Sequence, residues 1–593
     1  MTRHSFFNCA ASVLGLSALA ACATGAPQAP ETQVASSQVG PAARCTALGE
    51  MMASHWPDAG TKLSDATYHE AGPFSIPARI PGAPSTTLNL PAHCELTGIT
   101  HERKGVDGQD YAIRFHVRLP EKWNGRFLFE GGGGTNGELG MAIGMVGFGK
   151  PTALQEGYAI LSQDSGHSNA INTVPDKGGP TAFGFDPQAR ADYGGESLKT
   201  STLAAKALIK TYYGADPRYS YFFGCSKGGE EGMALAQRYP TLYDGIVAAA
   251  PGFSLPRAAI AEAWNTQAYA GILKAENKPL TVANLASTFS DGDMALVRQS
   301  ILEACDANDG LTDGLVGAYH QCTSPKVIQH LKAHSCKGDK ADGCLSTAQI
   351  DALEKVHQGP RTSKGEQIYP GLPWDAGWGD AGWRIWHIGS SDGRVPSINV
   401  AMGAPSLSIM FSTPPKVPGV GLDGYLAYQV NYDFDRDPAK IYATNAEFKQ
   451  SAWDLMSARS SNLAAFRARG GKLIVPHGLS DPVFSIADTM AWWNEVNQAN
   501  NGTAAEFTRV FPVPGMGHCQ GGPATDNYDS FGALVNWVEK GKAPDKLIGT
   551  AGPASPWPGR TRPICPYPLE AQANPGAQSN DPAASFTCKA KSE

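Results

Sequence analysis

Ser226, Asp481 and His518 are the residues of this 593-residue chain whose types could together carry out covalent acyl transfer. A serine hydroxyl becomes a nucleophile when an imidazole takes its proton. A carboxylate on the far side of the ring fixes the tautomer and meets the charge that develops. The serine lies in Gly224-Cys225-Ser226-Lys227-Gly228 and the histidine in the pair His518-Cys519, so each has a cysteine for a neighbour. A disulfide between Cys225 and Cys519 would hold their Cα atoms roughly 4.4–6.8 Å apart and bring Ser226 and His518 within reach of each other.

A GxSxG pattern in a chain with 67 glycines arises by chance, and Gly389-Ser390-Ser391-Asp392-Gly393 matches it as well. What separates the two is the element on either side, since a nucleophile elbow needs a buried strand before the serine and a helix after it. Residues 219–223, Tyr-Ser-Tyr-Phe-Phe, read as such a strand, and residues 230–238 carry Met233, Leu235 and Ala236 in a helix-compatible run. The second match has Pro396 where a helix should run. Residues 472–475 form another buried-strand run with Asp481 on the loop beyond it; the alternative is a turn-forming aspartate ahead of Pro482. Residues 507–513 make a further strand, followed by Pro514-Gly515-Met516-Gly517-His518, and His477 is the rival for the base. The order Ser, Asp, His along the chain is the order used by α/β-hydrolases. An oxyanion hole needs two backbone N–H donors. Lys227 supplies one through its main chain, and the run Gly131-Gly132-Gly133-Gly134 after the strand at 126–129 supplies the other, with spacing leaving open which glycine donates.

Far more chain separates Ser226 from Asp481 than a minimal hydrolase sheet requires. The expected organisation is therefore a leader at 1–22, a tether at 23–41, a first core segment at 42–252, an inserted lid domain at 253–459 and a second core segment at 460–593. Within the insertion, the run from Asp306 to Gly314 clusters short oxygen ligands with glycines. Asp306, Asp309 and Asp313, with the carbonyls of Leu311 and Leu315, could surround a hard cation; an Asx-rich turn is the alternative. Trp374, Trp378, Trp383 and Trp386 lie close together, and most tryptophans in such a cluster are packing, so one of them is expected at a pocket.

The Cys-Ser, Asp and His-Cys arrangement resembles the signature of the tannase and feruloyl esterase family of α/β-hydrolases. The resemblance runs from about Cys45 to Cys588 through "EGGGGTNG" from Glu130, "AFGFDPQAR" from Ala182, "YFFGCSKGGEEGM" from Tyr221, "YDGIVAAAPG" from Tyr243, "VPGMGHCQGGP" from Val513 and "RTRPICPYP" from Arg560. It is strongest to the branch that cleaves mono(2-hydroxyethyl) terephthalate. The resemblance implies an α/β-hydrolase core with a large lid, and a serine esterase acting on small aromatic-acid esters such as terephthalate monoesters, feruloyl or galloyl esters. It implies no organic cofactor, oxyanion donors at Gly134 and Lys227, and a structural calcium ion at the Asp306–Asp313 loop. It further implies the disulfides Cys45–Cys94, Cys225–Cys519, Cys305–Cys322, Cys336–Cys344 and Cys565–Cys588. It points to Trp386 and Phe484 as substrate-binding residues. A carboxylate-binding arginine belongs to the following lid segment, which here, over 390–410, differs in length and sequence; Arg394 is its expected counterpart.

Composition places these motifs in an exported protein. Arg3 and His4 precede an apolar stretch over about 10–21, too short for a stable membrane anchor and suited to a signal peptide. Leu19-Ala20-Ala21-Cys22 resembles a lipobox, which would make Cys22 a lipidated N-terminus of an outer-membrane lipoprotein; a plain signal peptide with periplasmic or secreted product is the alternative. Setting aside Cys9 and Cys22 leaves ten of the 12 cysteines, an even number suited to an oxidising compartment, without CxxC or Cys/His clusters that would hold zinc. A net charge of −7 with no long basic run argues against a nucleic-acid partner, and 42% hydrophobic residues suffice for a large core. The competing functions are a serine peptidase and a lipoprotein that binds aromatic ligands without turnover.

Overall fold

In the computed structural model, residues 40–77, 85–147 and 149–590 are described; the leader, Cys22 and the tether up to residue 39 lie outside the described residues. From Pro41 onward the chain is one compact unit. Its centre is a nine-stranded sheet. In chain order the strands are β1 (Lys62–His69), β2 (His93–Lys104), β3 (Asp110–Pro120), β4 (Arg126–Glu130), β5 (Ala159–Gln163), β6 (Tyr219–Cys225), β7 (Gly245–Ala249), β8 (Lys472–Gly478) and β9 (Thr508–Val513). They lie in the order β1-β2-β3-β5-β4-β6-β7-β8-β9, antiparallel from β1 to β5 and parallel from β5 to β9.

Sequence pattern follows this division. Strands β5 and β7 are buried at every position and β8 at all but its first, because helices cover both faces of a parallel sheet. Edge strand β1, LeuSerAspAlaThrTyr in its middle, is largely solvated. Since β4, β6, β8 and β9 run parallel, their carboxyl ends all open on one edge of the sheet, where loops of an open α/β fold meet a ligand. The strand expected at 219–223 continues to Cys225, and the following helix α1 (Lys227–Arg238) starts three residues before the expected Glu230. Its first turn contains Gly228 and Gly229, poor helix formers that tertiary packing overrides.

Between β7 and β8 the chain, among the described residues, adds helices and no strand to the sheet. The insertion expected at 253–459 is continuous in packing with the core: Tyr269 and Trp383 share an apolar cluster with Leu479 and Ile486, which follow β8. Its two ends meet at one carboxylate. Ser254 Oγ donates to Asp488 Oδ2 at 2.7 Å, and Arg459 Nε donates to Asp488 Oδ1 at 2.8 Å. All five disulfides implied by the family resemblance form: Cys45–Cys94, Cys225–Cys519, Cys305–Cys322, Cys336–Cys344 and Cys565–Cys588. That many disulfides mark an exported protein. No helix among the described residues is long and apolar enough to cross a membrane.

Asp488→Ala would leave the buried Ser254 hydroxyl and the Arg459 Nε without their acceptor. It is expected to destabilise the fold by about 1–3 kcal/mol, read from a denaturant midpoint; an unchanged midpoint would show that the insertion is not held at this point.

Candidate active site

Ser226 occupies the turn between β6 and α1 at φ 66° and ψ −120°, a region that L-residues reach only at a cost and that surrounding structure must impose. Here the imposing contact is backbone on backbone. A Cβ at Gly224 would lie 2.5 Å from the Gly228 carbonyl oxygen, and one at Gly228 would lie 2.8 Å from that of Gly132. Both glycines of the pentapeptide are thus required by close approach. The Ser226 N–H donates to the Ala249 carbonyl at 3.1 Å, which ties the elbow to the end of β7.

His518 stands between the other two members of the relay. Its Nε2 is 2.8 Å from Ser226 Oγ, and its Nδ1 is 2.8 Å from Asp481 Oδ2. A carboxylate only accepts, so Nδ1 carries the proton and Nε2 is left to accept from the serine hydroxyl. Asp481 is buried, and its other oxygen accepts from the N–H groups of Val483 at 2.8 Å and Phe484 at 3.0 Å. Burial opposes its ionisation, but the neighbouring His518 and the hydrogen bonds from His477 and His518 outweigh it and hold the carboxyl well below its ordinary range. Cys225 and Cys519, with Cα atoms 6.0 Å apart, tie the histidine loop to the elbow.

His477, the rival base, serves the carboxylate instead. It is wholly buried, with Nδ1 2.9 Å from Thr489 Oγ1 and Nε2 3.0 Å from the Phe484 carbonyl and 3.4 Å from Asp481 Oδ2. The second GxSxG match is an exposed turn, with the Ser390 hydroxyl donating to Asp392 and neither strand nor helix around Ser391.

Gly134 and Lys227 both line the pocket beside Ser226. As the first residue of α1, Lys227 has no intrahelical acceptor for its N–H. Beneath them lies a buried polar network that sequence reasoning missed. Glu231 accepts from the Gly132 N–H at 2.9 Å and from Asn136 Nδ2 at 2.7 Å, and so holds the loop within the glycine run and two residues beyond it. The Lys227 ammonium pairs with Glu230, lies 3.8 Å from Glu231 and sits 4.5 Å above the Tyr193 ring, whose hydroxyl donates to the Gly134 carbonyl at 3.1 Å. The side chain of Lys227 therefore neutralises the carboxylates that hold the donor loop. The available signal was Lys227 followed at three and four residues by glutamates on one helix face.

Trp386 and Phe484 meet the imidazole of His518 edge to face, each with ring centroids 5.4 Å away, and both line the pocket with Leu255, Met402 and Phe411. Trp374, Trp378 and Trp383 form a buried stack with successive centroids at 4.5 and 4.3 Å and serve packing. Arg394 is not brought to the pocket. Its side chain is 86% exposed and pairs with Asp392 at 3.3 Å, because the Asp392 carboxylate and the Ser390 hydroxyl close residues 390–395 into a surface turn that turns the guanidinium to water.

In the Asp306–Asp313 loop, Asp306 accepts from the N–H groups of Asp313 and Gly314 at 3.0 and 2.9 Å, Asp309 from Leu311 at 3.1 Å, and Asp313 from Leu315 at 3.2 Å and from Arg562 Nε at 3.0 Å. Burial, then the charges of Asp313 and Asp306, pushes the Asp309 carboxyl up to about 7. Three carboxylates against two guanidiniums, Arg562 on the Asp313 carboxylate and Arg560 on the Asp313 carbonyl at 2.7 Å, remain a net-negative donor set that fits a hard divalent cation. Their oxygens do not all lie within 4.8 Å of one another, a spacing that among the described residues only His69, His93 and Glu95 reach, so an ion would draw the loop inward.

A strand-elbow-helix at the centre of a mostly parallel sheet, with serine, histidine and aspartate in hydrogen-bonded sequence, defines a serine hydrolase of the α/β-hydrolase class. Residues 94–589 match the family model described as tannase and feruloyl esterase. The chain is 42% identical over 573 residues to the mono(2-hydroxyethyl) terephthalate hydrolase of Piscinibacter sakaiensis, covering 92% of each chain. It is 27% identical over 523 residues to a probable feruloyl esterase of Arthroderma benhamiae, covering 86% of this chain and 87% of the other. The crystal structure of feruloyl esterase B from Aspergillus oryzae has the same fold, with a TM-score of 0.70 at 22% identity over 93% of this chain and all of that one. The protein belongs to the tannase and feruloyl esterase family and is a carboxylic ester hydrolase.

Ser226→Ala is expected to lower esterase turnover by about a thousandfold or more, as are Asp481→Asn and His518→Ala. Ser391→Ala should leave turnover near the parent value, and His477→Ala should cost much less than His518→Ala. Steady-state hydrolysis of a p-nitrophenyl ester checks all five; equal losses at Ser226 and Ser391 would displace the elbow.

Proposed function

We propose that the enzyme hydrolyses esters of small aromatic acids through an acyl-enzyme on Ser226. The observation that carries this is the Ser226–His518–Asp481 relay opening into a pocket walled by Trp386 and Phe484. As Oγ attacks the ester carbonyl, its proton passes to His518 Nε2, and Asp481 meets the charge on the ring through Nδ1–H. The developing alkoxide accepts from the N–H groups of Lys227 and Gly134, which buried carboxylates hold in place before reaction begins. Collapse expels the alcohol, protonated by His518, and water then repeats the sequence to release the aromatic acid.

Terephthalate monoesters, feruloyl esters and galloyl esters are the candidate substrates, the first supported by the name of the 42% identical relative. A feruloyl or galloyl preference is favoured by one observation. Among the described pocket-lining residues the only cation is Lys227, which already pairs with Glu230, so none of them offers a guanidinium to a substrate carboxylate. Purified enzyme should cleave at least one ester among ethyl ferulate, a gallate ester and mono(2-hydroxyethyl) terephthalate with a burst of alcohol release. No turnover of the three would exclude this reading in favour of another acyl donor.

Calcium in the Asp306–Asp313 loop belongs to the same proposal, held by Asp306, Asp309 and Asp313 with the carbonyls of Leu311 and Leu315. It would neutralise the carboxylates there and tighten the loop between Cys305 and Cys322. A metal that binds only the native state stabilises it by about 2.7 kcal/mol at a hundredfold excess over Kd. Chelator treatment should therefore lower Tm. Absence of calcium from desalted protein together with an unmoved Tm would remove the ion. Outside the described residues, the lipobox ahead of Cys22 supports an anchored, exported form, which intact mass of the mature protein would test.

A further inference from the structure

The pocket has a polar far end that the hydrolytic steps leave unused. Helix α2 (Leu255–Ala275) starts at the elbow, where the Gly252 N–H donates to the Ser226 carbonyl at 3.2 Å three residues before the helix begins. From there Leu255, Ala259 and Glu262 line the pocket on one helix face, at spacings of four and three. With a rise of 1.5 Å per residue, Glu262 stands about 10 Å along the helix from Leu255. An acyl ring bound to Ser226 that extends along this face has its para position directed toward Glu262.

Glu262 is only 6% exposed, and what is exposed faces the pocket it lines. Among the described residues its carboxyl has neither a hydrogen-bond partner nor an ion pair, although a buried polar group is normally paired. The surrounding backbone is shaped to admit it. A Cβ at Gly403 would lie 1.8 Å from Glu262 Oε2, so a side chain there would displace the carboxyl from its present position. Gly403 closes the π turn Asn399–Gly403, a geometry that recurs at functional sites. Burial pushes the carboxyl up to about 8, which keeps it protonated and able to donate at neutral pH.

We infer that Glu262 determines specificity by binding an oxygen substituent, carboxylate or hydroxyl, para to the ester on the acyl ring. This rests on the aromatic-ester reading above. A protonated carboxyl donates a short, charge-assisted hydrogen bond to a carboxylate, and it both donates to and accepts from a phenol. It thereby supplies at the far end of the pocket what Arg394, turned to solvent, does not. A substrate lacking the oxygen leaves the buried carboxyl unpaired, and a site built on a hydrogen bond discriminates against such analogues far more than a purely apolar site would.

The test measures kcat and KM on three esters of one alcohol: benzoate, 4-hydroxybenzoate and the terephthalate monoester. Parent enzyme, Glu262→Gln, Glu262→Leu and Gly403→Ala are compared. The parent should favour at least one oxygen-bearing ring over benzoate by about tenfold or more in kcat/KM. That ratio should collapse in Glu262→Leu and Gly403→Ala through KM, while Glu262→Gln, whose amide still donates, retains part of it. A general loss of folding would lower all three substrates together and leave the ratio standing. If the leucine variant does not fold, the Gly403→Ala ratio decides. An unchanged ratio in the folded variants, or a parent that treats the three esters alike, overturns the role of Glu262 while leaving the esterase reading intact. A parent that cleaves none of the three, nor ferulate or gallate esters, overturns both.

Discussion

The contact of bare backbone between the nucleophile elbow and the glycine loop after β4 is the constraint on which the site depends. Gly228 lies against the carbonyl of Gly132, to which its own N–H donates at 3.1 Å, and Gly224 lies against Gly228. No side chain fits at these points. This approach presses Ser226 into its positive-φ turn and sets the glycine loop, one of the two sources of oxyanion donors, beside it. Two demands of acyl transfer, a projecting nucleophile and donors aimed at one oxygen, are thus met by a single packing event.

Close backbone approach would be loose without something to hold the loop down, and the holding groups are charged. Glu231 reaches from α1 to Gly132 and Asn136, and Lys227 balances Glu231 and Glu230 in a space that excludes water. Breaking such a buried set leaves an uncompensated charge, so it enforces one arrangement even where its net contribution to stability is small. On the other side, the Cys225–Cys519 disulfide and the bonds of His477 and two N–H groups to Asp481 do the same for the base and its carboxylate. The reactive atoms are held from three strand ends at once.

The insertion contributes the pocket rather than the chemistry. Its first helix departs from the elbow, its Trp386 meets the imidazole, and both its ends are anchored at Asp488 on the core. Specificity and catalysis therefore share one rigid reference, the end of β6. Variation along α2 and the turns facing it can change the acyl group accepted without moving the relay.

By itself the sequence singled out Ser226, Asp481 and His518 as candidates, because each is a reactive residue at the end of a strand-like run, while the choice of His518 over His477 came from their contacts. It also determined the family, through many short motifs in fixed order, and with it the disulfide pairs. What only the tertiary structure decided depends on contacts across the chain. The Lys227 side chain acquires its role from Glu231, Asn136 and Tyr193, which lie on three separate segments. Arg394 has the right charge in the right segment, yet a turn closed by Ser390 and Asp392 directs it to water. Glu262 is one glutamate among many in the sequence. It becomes a pocket residue only because α2 starts at the elbow and Gly403, from a distant turn, leaves space for its carboxyl. Local pattern encodes which residues can react, whereas which charges are buried together is set by packing between segments remote in sequence.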